Sequence, residues 1–404
     1  MKILFLTLVN IDNIKERNLY ADLMRKFRDE GHDVYVVSPS ERRLKLKTKI
    51  EKSDGITLLK IKTLNTQKTN TFEKGISTLL VEHLFLAGIK KHIVGVRFDL
   101  VLYSTPPITF TKVISYIKHR DGAKSYLLLK DIFPQNAVDL EMIKKNGLIH
   151  RYFRHKEKQL YQISDYIGCM SPANVNYLIK HNPEINPEIV EVNPNSIEPA
   201  SHFITDIEKL AIRKRLGISL NATAFIYGGN LGKPQGIDFL LEVLNSNQEK
   251  KDIFFVIIGS GTEFSKVQFW FTSNNPVNAI LLQGLPKNEY DQLIQSCDVG
   301  LIFLDQRFTI PNFPSRLLSY LEYKIPVIAA TDPNTDLGKI IEENGFGLWA
   351  ESGDLVAMNQ SISKFESNQD LIRKMGAIGF DYMHANYTVL NSYTKILSHF
   401  KESN

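Results

Sequence analysis

The chain has 404 residues, 43% of them hydrophobic and 23% charged, which is the usage of a folded protein of two or three domains and excludes disordered and fibrous classes. Its net charge of +5 is unevenly placed: residues 1–200 carry 31 Lys and Arg against 22 Asp and Glu, whereas residues 201–404 carry 18 against 22. Cys169 and Cys297 lie far apart without a C-x-x-C or His-rich neighbour, which argues against a disulfide framework or zinc finger and fits a cytoplasmic chain, and no apolar run approaches the roughly 20 residues of a membrane span.

Along the first half, short apolar runs alternate with amphipathic segments, the pattern of a parallel sheet covered by helices on both faces. Residues 2–8 predict a buried strand, 14–30 a helix and 33–37 a second strand. Residues 40–74 are polar and basic and read as an extended loop around one strand, 56–61. The group Arg42, Arg43, Lys45, Lys47 and Lys49 in that loop suits phosphates or anionic headgroups, or is a solvated surface. In 83–98, Leu84, Phe85, Leu86, Ile89 and Ile93 accompany Lys90, Lys91 and Arg97, a composition for a membrane interface or for packing on the protein's own sheet. Strands follow at 99–103, 124–129, 166–170 and 189–192. Asp131 stands just past the carboxyl end of strand 124–129, where it would orient or deprotonate a substrate hydroxyl, or cap a helix before Pro134. The proline-rich stretch 193–201 breaks the pattern and reads as a hinge.

Beyond it the alternation restarts with a helix near 208–216 and strands at 224–227, 253–258, 279–282, 299–304 and 327–330. Three strand-to-helix turns carry chemistry. Gly228-Gly229-Asn230-Leu231-Gly232-Lys233-Pro234-Gln235-Gly236 lets backbone amides approach an anion, with Lys233 as a mobile charge. It is not a P-loop, because Pro follows Gly232-Lys233 and Tyr227 stands where the first glycine belongs. Gly259-Ser260-Gly261 repeats the geometry, and Pro314-Ser315-Arg316 places an arginine at a helix start, suited to grip phosphate by two parallel bonds. Turns at strand carboxyl ends of one sheet converge on one crevice, and a diphosphate is the ligand that uses two cations and several amides. No Asp-x-Asp occurs, so neither metal nor other cofactor is expected.

These residues resemble the family 4 retaining glycosyltransferases, through Gly-Asn-Leu-Gly-Lys at 229–233, Gly-Ser-Gly at 259–261, Leu282-Gln283-Gly284-Leu285-Pro286, Cys297-Asp298-Val299-Gly300, Pro314-Ser315-Arg316 and Lys324-Ile325-Pro326-Val327. The first half matches more loosely, through Gly31-His32-Asp33-Val34, Asp131-Ile132-Phe133-Pro134 and Asn193-Pro194-Asn195. Within the family the likeness is to WbuB-type enzymes of capsule and O-antigen assembly, which implies an α/β GT-B fold: two Rossmann-like domains facing each other across a cleft. Residues 1–198 would bind the acceptor, 199–380 the nucleotide-sugar, and a C-terminal helix in 381–404 would pack back on the first domain.

The resemblance further implies a UDP-sugar donor, such as UDP-N-acetyl-L-fucosamine, and a polyprenyl-diphosphate-linked acceptor. The enzyme would then work at the inner face of the cytoplasmic membrane, with an anionic membrane surface as partner and no nucleic acid. Gly284 and Leu285 would meet the uracil; Lys233 and Arg316, with the amides of Leu317 and Leu318, the diphosphate. Gly229, Asn230, Gly232, Gly259, Gly261, Ser315 and Ser319 complete the donor side, and Lys130, Asp131 and Pro134 form the acceptor side. Asp131, Lys233 and Arg316 would be catalytic. The family's two glutamates fall on Pro311 and Ser319, with Glu322 one turn on as a substitute ribose contact; a customary second lysine is Gln235, and a customary histidine is Lys130. A UDP-sugar epimerase and a non-catalytic nucleotide- or polysaccharide-binding protein would use the same scaffold; product formed without acceptor would mark the first, UDP bound but never released from a donor the second.

Overall fold

A computed structural model describes residues 1–65 and 71–400, without side chains for 71–76; residues 66–70, within the expected loop 40–74, lie outside the described residues. By internal contacts the chain forms two units, Met1–Glu198 with Val389–Asn404, and Pro199–Thr388.

The first unit is built on an eight-stranded sheet: β1 Lys2–Leu6, β2 Asp33–Glu41, β3 Lys49–Ser53, β4 Ile56–Thr63, β5 Leu100–Ser104, β6 Lys124–Leu129, β7 Tyr166–Cys169 and β8 Val190–Val192. Their order is β3-β4-β2-β1-β5-β6-β7-β8, all parallel except β3, which runs antiparallel to β4. Alternate residues serve two cores: Leu4 and Leu6 join Phe85, Ile89 and Phe110 on one face, while Ile3 and Phe5 join Met24, Phe27 and Ile396 on the other. That period of two is what a strand buried on both faces requires. Phe85, Ile89 and Ile93 are thus core residues of the helix Thr71–His92 and the turn after it, and Leu84 and Leu86 are partly buried against the same core, so these apolar residues of 83–98 pack on the protein's own sheet. The helix Val389–Ser398 lies on the opposite face, with the Tyr393 ring 5.0 Å from Phe27.

Three elements depart from the sequence pattern for identifiable reasons. β3, Lys-Ile-Glu-Lys-Ser, is an edge strand whose charges discourage pairing with another chain, so it carries no apolar alternation. β2 continues through Pro39 because β1 stops pairing at Val37, leaving only β4 beside it and removing the demand for a second ladder bond. The first helix begins at Leu19, not near residue 14, where Asn18 accepts from the amides of Tyr20 and Ala21.

The second unit carries β9 Thr223–Asn230, β10 Ile253–Ser260, β11 Ala279–Gln283, β12 Val299–Phe303, β13 Val327–Thr331 and β14 Gly347–Glu351, in the order β11-β10-β9-β12-β13-β14 and all parallel. β14 is missing from the sequence reading. The strand order turns back between β9 and β12, which opens a crevice beyond their carboxyl ends. The helix Gln369–Asn386 runs through residue 380, so the expected boundary there falls inside an element.

The stretch expected as a hinge is held on both sides of residue 199. Glu198 bonds Arg25 at 2.8 Å and, through its amide, Asp22 at 3.1 Å, whereas the Ala200 amide donates to Glu322 Oε1 at 2.7 Å and the Ile204 amide to Gln295 at 2.9 Å. At the foot of β9, buried Asp298 binds Arg213 at 2.9 Å, Lys209 at 3.1 Å and the Ala224 amide at 2.8 Å. Cys297-Asp298 is therefore a structural part of the motif. Asp298→Ala strands a buried guanidinium and should cost about 3–5 kcal/mol, read as a lower urea midpoint for the second unit; an unchanged midpoint would contradict this role.

Candidate functional site

The carboxyl ends of β9 and β10 run side by side, Gly229 against Gly259 and Asn230 against Ser260. A Cβ at Gly259 would collide with the Gly229 carbonyl oxygen, and one at Gly261 with that of Leu231. Both glycines are thus required by strand approach, a reason distinct from ligand contact. Gly229 is different: its φ of +124° suits glycine, and a Cβ there would stand 3.5 Å from Arg316 Nη2. The first and third turns therefore meet at Arg316, while the second packs against the first.

Arg316 is the first residue of the short helix Arg316–Leu321. Its guanidinium lies 4.3 Å from the Tyr227 ring centroid, no carboxylate pairs with it among the described residues, and its buried Nη1 has no hydrogen-bond partner. Around it stand three phenols. Tyr227 donates to the Asn230 carbonyl at 2.7 Å. Tyr320 accepts from the Gly228 amide at 3.1 Å and bonds the Ile226 carbonyl at 3.1 Å, while Tyr290 packs so close to Gly228 that any side chain there would strike it. Burial pushes the Tyr290 phenol up to about 12, so it stays neutral and offers the arginine no counter-charge. An enclosed guanidinium nitrogen without a partner is costly; it is the place where an anion would be held.

Lys233 follows Gly232 in a 3-10 turn, Lys233–Gln235, and is exposed. Its ammonium makes no ion pair or hydrogen bond among the described residues, while Gln235 holds the Asn230 side chain at 2.7 Å. Gly284 and Leu285 are exposed just past β11, and Ser315 is exposed before the helix. Two expectations need correction. The amides of Leu317 and Leu318 are already donated to the carbonyls of Pro314 and Ser315, each at 3.2 Å, so they are not free for a diphosphate. Glu322 is buried and its carboxylate takes the Ala200 amide, which ties it to the chain entering this unit and not to a ribose; Ser319, one turn before, is partly buried.

Sequence reasoning missed two supports of this turn. One is the tyrosine set, since Tyr227 was read only as a departure from the P-loop pattern. The other is Asp332, just past β13, whose carboxylate accepts from the Asn334 amide at 2.9 Å and the Thr335 amide at 3.0 Å. Thr335 Oγ1 then accepts the Asn312 amide at 3.0 Å and Asn334 donates to the Phe308 carbonyl at 2.7 Å, fixing the segment that leads to Pro314. Burial raises Asp332 to about 6. Its signal was the Asp-Pro-Asn-Thr turn at a strand end.

In the first unit, Lys130 and Asp131 follow β6 directly. Thr105 Oγ1 accepts both their amides, at 2.9 and 3.1 Å. The Asp131 carboxylate accepts from Asn136 at 2.7 Å; burial raises it to about 6 against hydrogen bonds from Asn136 and the Ile132 amide that lower it. It does not cap the following helix, Gln135–Asp139, which starts from Pro134 without a side-chain cap. Lys130 donates to the Asn193 carbonyl at 3.1 Å, and burial lowers it to about 7. The Tyr20 phenol, raised to about 12 by burial, also feels the Asp131 carboxylate. A carboxylate and an amine, each shifted toward neutrality at one strand end, have the character of groups that handle a proton.

Residues 208–381, within the second unit, match the model for glycosyl transferases group 1. The chain is similar to the probable glycosyltransferase WbjE of Pseudomonas aeruginosa, 23% identical over 334 residues that cover 81% of this chain and 80% of that one. Among solved structures it is similar to sucrose-phosphate synthase from Thermosynechococcus elongatus, with a TM-score of 0.76, 12% identity and coverage of 100% and 99%. It is also similar to Anabaena Alr3699/HepE in complex with UDP-glucose, with a TM-score of 0.71, 14% identity and coverage of 99% of both chains. At these identities the structures speak for the fold, which is GT-B with two Rossmann-like sheets.

Proposed function

We propose that the chain is a retaining, metal-independent glycosyltransferase that moves a sugar from a UDP-sugar to a lipid-diphosphate-linked acceptor. The carrying observation is Arg316, whose enclosed Nη1 has no hydrogen-bond partner and whose guanidinium has no carboxylate partner among the described residues, at the crevice of an open parallel sheet. Lys233, exposed on the same turn as Gly229, adds a charge that makes no ion pair among the described residues. As the anomeric bond breaks, negative charge grows on the departing diphosphate; cations already in place lower that barrier without reorganising. Arg316 would hold the diphosphate from within the fold, Lys233 would close on it from the exposed turn, and the backbone at Gly284 and Leu285 would border the base. The solved HepE complex contains UDP-glucose, which supports a nucleotide-sugar as the donor class here.

On the acceptor side, Asp131 would orient a hydroxyl and take its proton, with Lys130 beside it in place of a histidine. The motifs shared with WbuB-type enzymes support an amino sugar such as N-acetyl-L-fucosamine and a role in capsule or O-antigen assembly at the cytoplasmic face of the membrane. Among the described residues no helix is long and apolar enough to cross a membrane, so association would be peripheral. The test is UDP release from a panel of UDP-sugars, with and without a lipid-linked amino-sugar acceptor and with EDTA. Acceptor-dependent release that EDTA leaves within about twofold is expected. Release abolished by EDTA would remove the metal-independent reading, and product formed without acceptor would favour an epimerase.

A further inference from the structure

In the first unit, the helix Leu148–Ile163 has two unlike faces. Its inner face is core: Leu160 and Tyr161 are buried, Glu157 is buried and accepts from Arg154 at 2.5 Å and Tyr161 at 2.9 Å, and the Phe153 ring meets Phe133, two residues past Asp131, at 4.9 Å. The outer side of the first turn holds apolar side chains in water. Leu148 is 85% exposed, Ile149 61% and Tyr152 40%, and Met142, in the loop before the helix, is 63% exposed. Folding gains nothing from leaving these four in solvent, and apolar residues gathered on one exposed element mark a surface with an occupant.

The charge around them is one-sided. Residues 141–156 carry five Lys and Arg against one carboxylate, Glu141. Lys144, Lys145 and Arg151 are exposed, and no carboxylate pairs with them among the described residues. Lys144 lies against Gly147, from which the helix starts. Burial, and after it Arg154 and Lys145, lower the His150 imidazole, which puts the Lys145 ammonium near the first turn as well, and Lys156 stands 6.0 Å from the Tyr152 ring centroid. The two other segments whose composition suits a membrane are built differently. Phe85, Ile89 and Ile93 of 83–98 belong to the core, and in the basic group 42–49 Arg43 pairs with Glu41 and Lys49 with Glu51, each at 2.7 Å.

We infer that this outer face docks on an anionic lipid bilayer, with Leu148, Ile149, Tyr152 and Met142 entering the headgroup layer and Lys144, Lys145, Arg151 and Lys156 facing the lipid phosphates. Charge complementarity argues for that occupant: cations without carboxylates, set beside apolar tips, match a surface that is anionic outside and hydrocarbon beneath. A protein partner would need a complementary surface of some 20–30 residues per side, whereas a fluid bilayer adapts to a few inserted side chains. The inference rests on the reading of the first unit as the side that takes a lipid-linked acceptor, and it adds which face meets the membrane. Through Phe153 and Phe133 the docked helix is joined to the turn that carries Asp131.

The test is flotation of the full chain with vesicles of mixed phosphatidylglycerol and phosphatidylcholine, and with vesicles of phosphatidylcholine alone. At low salt the anionic vesicles should bind the chain about tenfold or more tightly than the neutral ones, and about 0.5 M NaCl should remove most of that advantage. Leu148→Ser with Ile149→Ser, and separately Lys144→Glu with Lys145→Glu, should each weaken binding to anionic vesicles about tenfold or more, with an unchanged urea midpoint because all four residues are exposed. Lys45→Glu with Lys47→Glu, in the other basic group, should weaken it less than about threefold. Flotation with neither vesicle, or binding that is lost with Lys45 and Lys47 and kept without Leu148 and Ile149, would overturn the assignment. Self-association of the chain that Leu148→Ser with Ile149→Ser abolishes, without vesicle binding, would make the face a contact between copies instead. The vesicles hold neither donor nor acceptor, so binding through this face by a chain that transfers no sugar would fault the proposed function and leave the face standing. Sugar transfer to a detergent-dispersed lipid acceptor by a chain that ignores vesicles would do the reverse.

Discussion

Arg316→Ala should lower kcat by about 10² or more while the fold persists. Among the described residues the guanidinium has no carboxylate partner, and one of its nitrogens is enclosed without a hydrogen bond, so little of its environment depends on it for stability. What the protein loses is the contact with the Tyr227 ring, worth on the order of 2 kcal/mol, and that loss is offset by release of a desolvated charge. A large kinetic effect with a small stability effect is the mark of a group kept for a ligand. Arg316→Lys should recover only part of the rate, because an ammonium cannot present two parallel donors to a diphosphate. If instead Arg316→Ala unfolded the second unit, with activity lost only in proportion, the arginine would be a packing residue.

The second large effect is expected at Asp131. Asp131→Asn should reduce kcat/KM by about 10²–10⁴ and remove one ionisation from its pH profile. In the proposed role the carboxylate is the working form, and burial raises its pKa to about 6, so activity should rise as pH increases through about 6 and level off above it. The Asn variant should lack that limb. Stability moves the other way. A carboxyl whose folded pKa lies above its unfolded value gives stability that is fully present below the unfolded pKa and lost as pH rises through the folded one. Ionised Asp131 therefore opposes folding at pH 7, and the Asn variant should be no less stable there. A destabilised variant with an unchanged pH profile would make Asp131 a scaffold residue bonded to Asn136.

The two sheets were legible in the sequence because apolar runs buried on both faces leave an unmistakable trace, and the strand-to-helix turns at Gly228–Gly236 and Pro314–Arg316 announced where a ligand would sit. The elements that escaped are those whose residues answer to other demands. β3 is charged because it is an edge, and β14, Gly-Leu-Trp-Ala-Glu, is short and bordered by turn residues. The site was legible at the level of which residues and not of which atoms. Spacing alone places Leu317 and Leu318 at a helix start, yet their amides close the turn on Pro314 and Ser315. Glu322 is one turn from Ser319 in any helix, but its carboxylate faces the entering chain at Ala200. Tyr290 and Tyr320 come from different helices and meet Tyr227 only through the sheet, a three-body arrangement that no local pattern encodes. Asp332 acts through Thr335 and Asn334 on a loop some twenty residues earlier, which is equally invisible before folding.

The central claim is that the crevice beyond β9 and β12 holds the diphosphate of a uridine nucleotide by charge. Calorimetric titration of the full chain with UDP and with uridine tests it most directly, repeated on Arg316→Ala with Lys233→Ala. The expected result is UDP binding at least about a hundredfold tighter than uridine, with that advantage reduced to about tenfold or less in the double variant. Equal affinity for UDP and uridine in the wild type, or an advantage for UDP that survives loss of both cations, would contradict it.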